Sequence, residues 1–367
     1  MWICRRIAGI LPPEGVCTAY CAALFLTTQP PQTPMLTLLT LFSCSDRAEP
    51  DNSTSIPAET DTPAPSDSGP IDGPIDAGFG AAIAIGPDGA LWIGAPHGNP
   101  AMLYVVEPGG ELTEALSGHD RIGAAIALSP SGELAVGAPL ADGYAGVILD
   151  ADGQVLATGG QSAGLALTWA DTWVAATATG WLTPDKSTET PGRPSAIAAM
   201  QDEGGWRIGV GMAHSETMLQ VGDTTLAAPT AGGEAGYALA VGDVDNDGAQ
   251  EWIIGAPAIS TVYIVDAAAS QIEQTLSGAG RFGAALATGD FDQDGITDLI
   301  VGAPMERSAR GAAHLYTLGD LSSAVTIWTG SREGEQLGFA VAIGDGALAY
   351  SAPGAAGQSG RVLVVTP

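Results

Sequence analysis

The stretch "GRFGAALATGDFDQDGITDLIVGAP", residues 280–304, decides the architecture. A strand of small residues, Ala284 to Ala287, runs into a turn crowded with aspartate. A second, strongly apolar strand follows at Leu299 to Val301, and Gly-Ala-Pro stops it. Proline has no amide to give a β-ladder, so pairing ends where it stands. The unit reads as strand, turn, strand, stop.

The same unit recurs along the chain, and repetition at a fixed period governs the fold. "GFGAAIAIGPDGALWIGAP" (78–96) aligns with "DRIGAAIALSPSGELAVGAP" (120–139), "AGYALAVGDVDNDGAQEWIIGAP" (235–257) and "LGFAVAIGDGALAYSAP" (337–353). Two degenerate copies fit the template, "AGLALTWADTWVAATA" (163–178) and "ETMLQVGDTTLAAPT" (216–230). After most copies come two further strand candidates, such as "MLYVVE" with "ELTEAL", or "GVILD" with "QVLATG". Four antiparallel strands per unit, at a period of about 40 to 50 residues, predict an all-β fold of propeller blades. Glycine and alanine suit the inner strand, because blades converge toward an axis where large side chains collide.

These units resemble FG-GAP repeats, the blades of integrin α-subunit propellers and of related bacterial surface proteins. Phe79-Gly80 and Phe282-Gly283 supply the "FG", Ile122-Gly123 stands in its place, and "GAP" occupies 94–96, 137–139, 255–257 and 302–304. The resemblance covers residues 78–367 and implies seven blades, with six as the alternative count. The copy at 216–230 leaves no room for outer strands before Tyr237 and reads as a half blade. The chain ends on "RVLVVTP", a third strand without a fourth. Related propellers close the ring with an N-terminal strand, and the proline-rich segment before Gly78 looks a poor donor.

Asp290, Asp292, Asp294 and Asp298 stand at positions 1, 3, 5 and 9 of one loop, with Gly295 at position 6. Side chains at that spacing turn inward together, and the carbonyl of Ile296 at position 7 adds an oxygen. Several hard oxygens at about 2.3–2.6 Å suit Ca²⁺, whereas Mg²⁺ demands a stricter octahedron. "DVDNDGAQE" repeats the pattern as Asp243, Asp245, Asp247, the carbonyl of Ala249, and Glu251. An EF-hand needs Glu at position 12, where Ile254 and Val301 stand, and a helix beyond. The other reading is an acidic hairpin turn with solvated carboxylates. Two such loops, each just ahead of Gly-Ala-Pro, favour two calcium sites. "GPDGAL", "SPSGEL" and "GDGAL" in other copies are plain hairpin turns without a cage.

The formal net charge is −29, from 12 basic against 41 acidic residues, which argues against nucleic-acid partners. The cysteines are Cys4, Cys17, Cys21 and Cys44, so the repeats have neither internal disulfides nor a thiolate zinc site. Residues 1–44 read as a targeting region with Arg5 and Arg6 near its start and apolar runs too short to span a bilayer. "LFSC" (41–44) resembles a lipobox, which would lipidate Cys44; an ordinary cleaved signal and a true start at Met35 are the alternatives. Residues 45–77 are rich in Pro, Ser, Thr and Asp and read as a disordered tether. The expectation is an exported monomer, meeting the membrane only through such an anchor.

His97, His119, His214 and His314 form no metal-binding pair in sequence, and there is no Gly-x-Ser-x-Gly elbow. Trp92 and Trp252 on second strands read as wedges between blades, and Lys186 as part of a solvated insertion, "TPDKSTETPGRP". The sequence points to a non-enzymatic, calcium-stabilised surface propeller that binds a protein or glycan. A carbohydrate-active lyase or hydrolase and a scaffold subunit of an envelope complex are the rival classes.

Overall fold

Each strand–turn–strand unit folds back on itself, and two more strands complete a blade. The computed structural model describes residues 66–67, 69–75, 77–159, 161–317, 319–344 and 346–367. The expected targeting region, Cys44 and residues 45–65 lie outside the described residues. Two short strands come first, β1 (Ser66–Asp67) and β2 (Ile71–Asp72). Blade 1 is β3 (Ala82–Ile85), β4 (Leu91–Ala95), β5 (Met102–Val106) and β6 (Leu112–Ser117). Blade 2 is β7 (Ala125–Leu128), β8 (Leu134–Ala138), β9 (Val147–Leu149) and β10 (Val155–Thr158). Blade 3 is β11 (Leu167–Trp169), β12 (Trp173–Ala176), β13 (Gly180–Leu182) and β14 (Ser187–Glu189). Blade 4 is β15 (Ala196–Asp202), β16 (Gly205–Gly211), β17 (Thr217–Val221) and β18 (Thr224–Ala227). Blade 5 is β19 (Leu239–Gly242), β20 (Glu251–Ala256), β21 (Thr261–Val265) and β22 (Ile272–Ser277). Blade 6 is β23 (Ala285–Gly289), β24 (Asp298–Ala303), β25 (Ala312–Tyr316) and β26 (Thr326–Thr329). Blade 7 has β27 (Val341–Gly344), β28 (Ala347–Ala352) and β29 (Arg361–Thr366).

The first strands of the blades lie side by side around an axis, and β27 returns to β3. The fold is a β-propeller of seven antiparallel blades. Seven hydrophobic clusters fill the seven blade interfaces. Between blades 4 and 5 the wedge is Trp252, fully buried, its Nε1 donating to the Ala267 carbonyl at 3.2 Å. Trp92 is half-buried against the cluster of blades 1 and 2.

Three expectations change. The supposed half blade at 216–230 is instead the outer pair, β17 and β18, of a complete blade 4. Its inner pair lies upstream, where "GMA" at 211–213 replaces Gly-Ala-Pro, while Ala227-Ala228-Pro229 after the outer pair imitates the motif. An outer hairpin buries one side of each strand as an inner one does, so pattern alone could not separate them. The stretch around Lys186 is likewise no insertion: it turns into β14 of blade 3, while Lys186 itself is exposed, its Nζ 5.3 Å from the Trp181 ring centroid. Finally, the segment before Gly78 does close the ring. β2 pairs with β29 through Ile71↔Val362 and Asp72↔Arg361, and β1 pairs further along it through Ser66↔Thr366 and Asp67↔Val365. Pro70 and Pro74 flank the paired residues and remove no donor from the ladder. Arg361 clamps this strand with two bonds to the Asp72 carboxylate, at 2.6 and 3.1 Å.

The signature glycines face one another across blades. A Cβ on Gly94 would lie 1.9 Å from the Gly123 carbonyl oxygen, and one on Gly302 would lie 2.1 Å from that of Gly338. Gly255 meets Gly283 and Gly137 meets Gly164 in the same way. The glycine ending one blade's second strand thus allows the backbone opening the next blade to touch it. In blade 7 Ser351 takes the place of that glycine, fully buried, its Oγ accepting the Ala340 amide at 3.0 Å.

Candidate metal centres

The turns joining first to second strands in blades 5 and 6 are two copies of one loop. Position 2 is a buried apolar plug, Val244 or Phe291. Position 4 takes left-handed backbone at Asn246 (φ 59°) and Gln293 (φ 60°), and position 6 does so at Gly248 and Gly295. That path aims amides at the carboxylates. Asp243 accepts from Asp247 at 3.1 Å and from Gly248 at 3.0 Å; Asp290 accepts from Asp294 and Gly295 at the same distances. At position 7, the Ala249 and Ile296 amides each donate to the position 5 carboxylate at 2.8 Å.

The loops differ at position 9. In blade 5, ligand atoms of Asp243, Asp245, Asp247 and Glu251 all lie within 4.8 Å of one another. Glu251 is buried, with Oε2 accepting the Val244 amide at 3.0 Å. In blade 6, Asp290, Asp292 and Asp294 converge in this way, but Asp298 does not join them. Its Oδ2 accepts the Phe291 amide at 2.7 Å, while its Oδ1 is buried with no hydrogen-bond partner among the described residues. A fully buried carboxylate oxygen left unpaired is costly unless something else satisfies it. The extra methylene of Glu251 closes a gap that Asp298 leaves. Position 2, which sequence reasoning passed over, sets the position 9 carboxylate in both loops; its signal was a lone apolar residue inside an acidic turn.

Burial, reinforced by neighbouring aspartates and opposed by the Val244 amide, pushes Glu251 up to about 7. Burial also pushes Asp298 up to about 7, helped by the charges of Asp292 and Asp294 and opposed by the Phe291 and Asp292 amides. Neither loop has a lysine or arginine in ion-pair contact among the described residues. The donor set fits a hard cation: oxygen only, uncompensated, and with one orphaned buried oxygen.

The sign of the pH effect follows. Unfolded, these carboxyls release protons near pH 4, and folded near pH 7. Between those values the native state holds more protons, so the stability of chelated protein falls as pH rises and levels off above 7. Chelated protein is expected to melt lower at pH 8 than at pH 5; a higher melting temperature at pH 8 would contradict the raised carboxyls. Saturating cation should flatten or reverse the trend, because it displaces those protons.

The family model of the FG-GAP repeat matches residues 282–316. That span starts at the buried Phe282, includes the second carboxylate loop and ends with β25. Blade 6 carries an FG-GAP repeat. A search of curated proteins found no match. In this propeller the "F" position is a buried plug in other blades too, as Phe79, Ile122, Ala163, Ala235 and Leu337. The match falls where the repeat is least altered, and the glycine contacts show the same construction in blades whose letters have drifted.

Proposed function

We propose that the protein is an exported binding module whose propeller is stabilised by two Ca²⁺ ions, one in each carboxylate loop. The observation that carries this reading is the duplicated oxygen cluster, with Asp298 Oδ1 buried and unpartnered beside it. Asp243, Asp245, Asp247 and Glu251 would hold one ion, and Asp290, Asp292, Asp294 and Asp298 the other, with the Ala249 and Ile296 carbonyls as further donors. The ion supplies positive charge that offsets repulsion between the strands it joins. Calcium is abundant outside cells, which agrees with export. Among the described residues, no helix is long and apolar enough to cross a membrane.

A binding role is supported by the fold and by its surface. Tyr144, Met305 and Phe339 are 68%, 44% and 40% exposed on loops at the end opposite the carboxylate loops. Apolar side chains left in water there, like Val155 and Leu156 toward the other end of the blades, suit a protein or glycan partner. A non-enzymatic reading is supported by His314, whose Nε2 lies 2.8 Å from Glu306 while its ring packs edge-on against Phe282, a packing position. Titration calorimetry is expected to register two calcium ions per chain, with D243N and D290N each abolishing one. No heat of calcium binding would refute the reading.

A further inference from the structure

The inner hairpin of blade 3 is built unlike the others. Its tip is Trp169-Ala170-Asp171-Thr172-Trp173, closed by the Ala170 amide donating to the Thr172 carbonyl at 2.9 Å. Corresponding tips in blades 1 and 2 are "GPDGA" and "SPSGE", without aromatic residues. Trp169 and Trp173 are cross-strand partners and therefore share one face of the blade. That face meets blade 2: Trp173 packs with Ala135 and Ile148 and is 4% exposed, while Trp169 stays half-buried beside it.

Opposite the two indoles stand the turns of blade 2, and between them lies a cleft of about 490 Å³. Its lining includes four carboxylates, Glu133, Asp150, Asp152 and Asp171, and, among the described residues, no lysine or arginine. Two of these are fixed in place. Asp171 accepts Trp206 Nε1 at 2.8 Å, and Asp150 accepts the Asp152 and Gln154 amides at 3.0 and 2.7 Å. Glu133 and Asp152 are exposed at the rim, and Leu156, 39% exposed, adds an apolar wall.

An aromatic floor under a carboxylate rim complements a cation carried on an apolar stem. The head gains from the rings and the rim together, and the methylenes lie along leucine and indole. An anion would be repelled. A neutral sugar would stack on indole but gain nothing from uncompensated charge. We propose that the cleft between blades 2 and 3 captures a lysine or arginine side chain of a partner polypeptide. This deepens the binding-module reading and rests on it.

The test uses the full chain in calcium, titrated with N-acetyl-pentalysine amide and followed by calorimetry and tryptophan emission. Saturable one-to-one binding that perturbs the emission is expected, about tenfold weaker in E133Q/D152N. Both substituted side chains are exposed, so the fold is retained. The variant E107Q/E111Q, which removes the same charge from a turn of blade 1, is expected to bind like wild type. Equal weakening in both variants would show attraction to a generally acidic surface and overturn the proposal. So would unchanged affinity in E133Q/D152N, equal binding of a pentaglutamine control, or binding of a neutral chitooligosaccharide in place of the peptide. Failure here with calcium uptake and another ligand intact would remove the cleft assignment and leave the broader reading standing.

Discussion

Chelating calcium is expected to lower the melting temperature of this protein by about 10 °C or more. Each site at a calcium concentration of about one hundred times its Kd adds roughly 2.7 kcal/mol, and two sites about twice that. For a domain of this size about 1 kcal/mol moves the midpoint by roughly 2–4 °C. Removing the ions also restores repulsion among aspartates whose ligand atoms lie within 4.8 Å of one another. Asp298→Asn sharpens the test because its sign depends on calcium. Without the ion, it removes a buried carboxyl that burial already pushes up to about 7, so the variant should equal or exceed wild type. With the ion, it removes a donor and should fall below wild type. A melting curve indifferent to EGTA, or an Asp298→Asn effect of one sign in both conditions, would defeat the assignment.

The second large effect is steric. Gly302→Ala would place a methyl carbon 2.1 Å from the Gly338 carbonyl oxygen, and the obstacle is backbone rather than a side chain that can swing away. The two blades must part or the new side chain must distort β24, at a cost of about 3 kcal/mol or more. The Gly109→Ala comparison separates this clash from backbone preference. Gly109 has φ +69° but open space around its Cβ position, so its cost should be about 1 kcal/mol. Urea midpoints measure both, and equal losses would mean that contact between facing glycines does not hold neighbouring blades in register.

Which parts of this were legible in the sequence follows from what each residue must do. The "FG" and "GAP" letters were visible because two backbones touching leave room for nothing larger. The carboxylate loops were visible because their spacing serves one oxygen cluster. Blade 4 was misread because its inner strands, "AIAAMQD" and "GWRIGVG", carry no loop chemistry, while "LAAPT" after the outer pair copies the stop signal. The displacement of Asp298 from its companions was beyond the letters. One methylene separates it from Glu251, and only the depth of each strand start shows which side chain reaches. Ring closure was hidden for another reason. Two-residue strands between prolines have no periodicity to detect, and their partner lies at the far end of the chain.

That last pairing has a consequence for how the molecule comes into being. Asp72 and Arg361 are 289 residues apart, so a strand made early waits until residue 361 has been made before it finds its place. Contacts this distant in sequence also make for slow folding. Closure of the propeller joins residues 71–72 to residues 361–362.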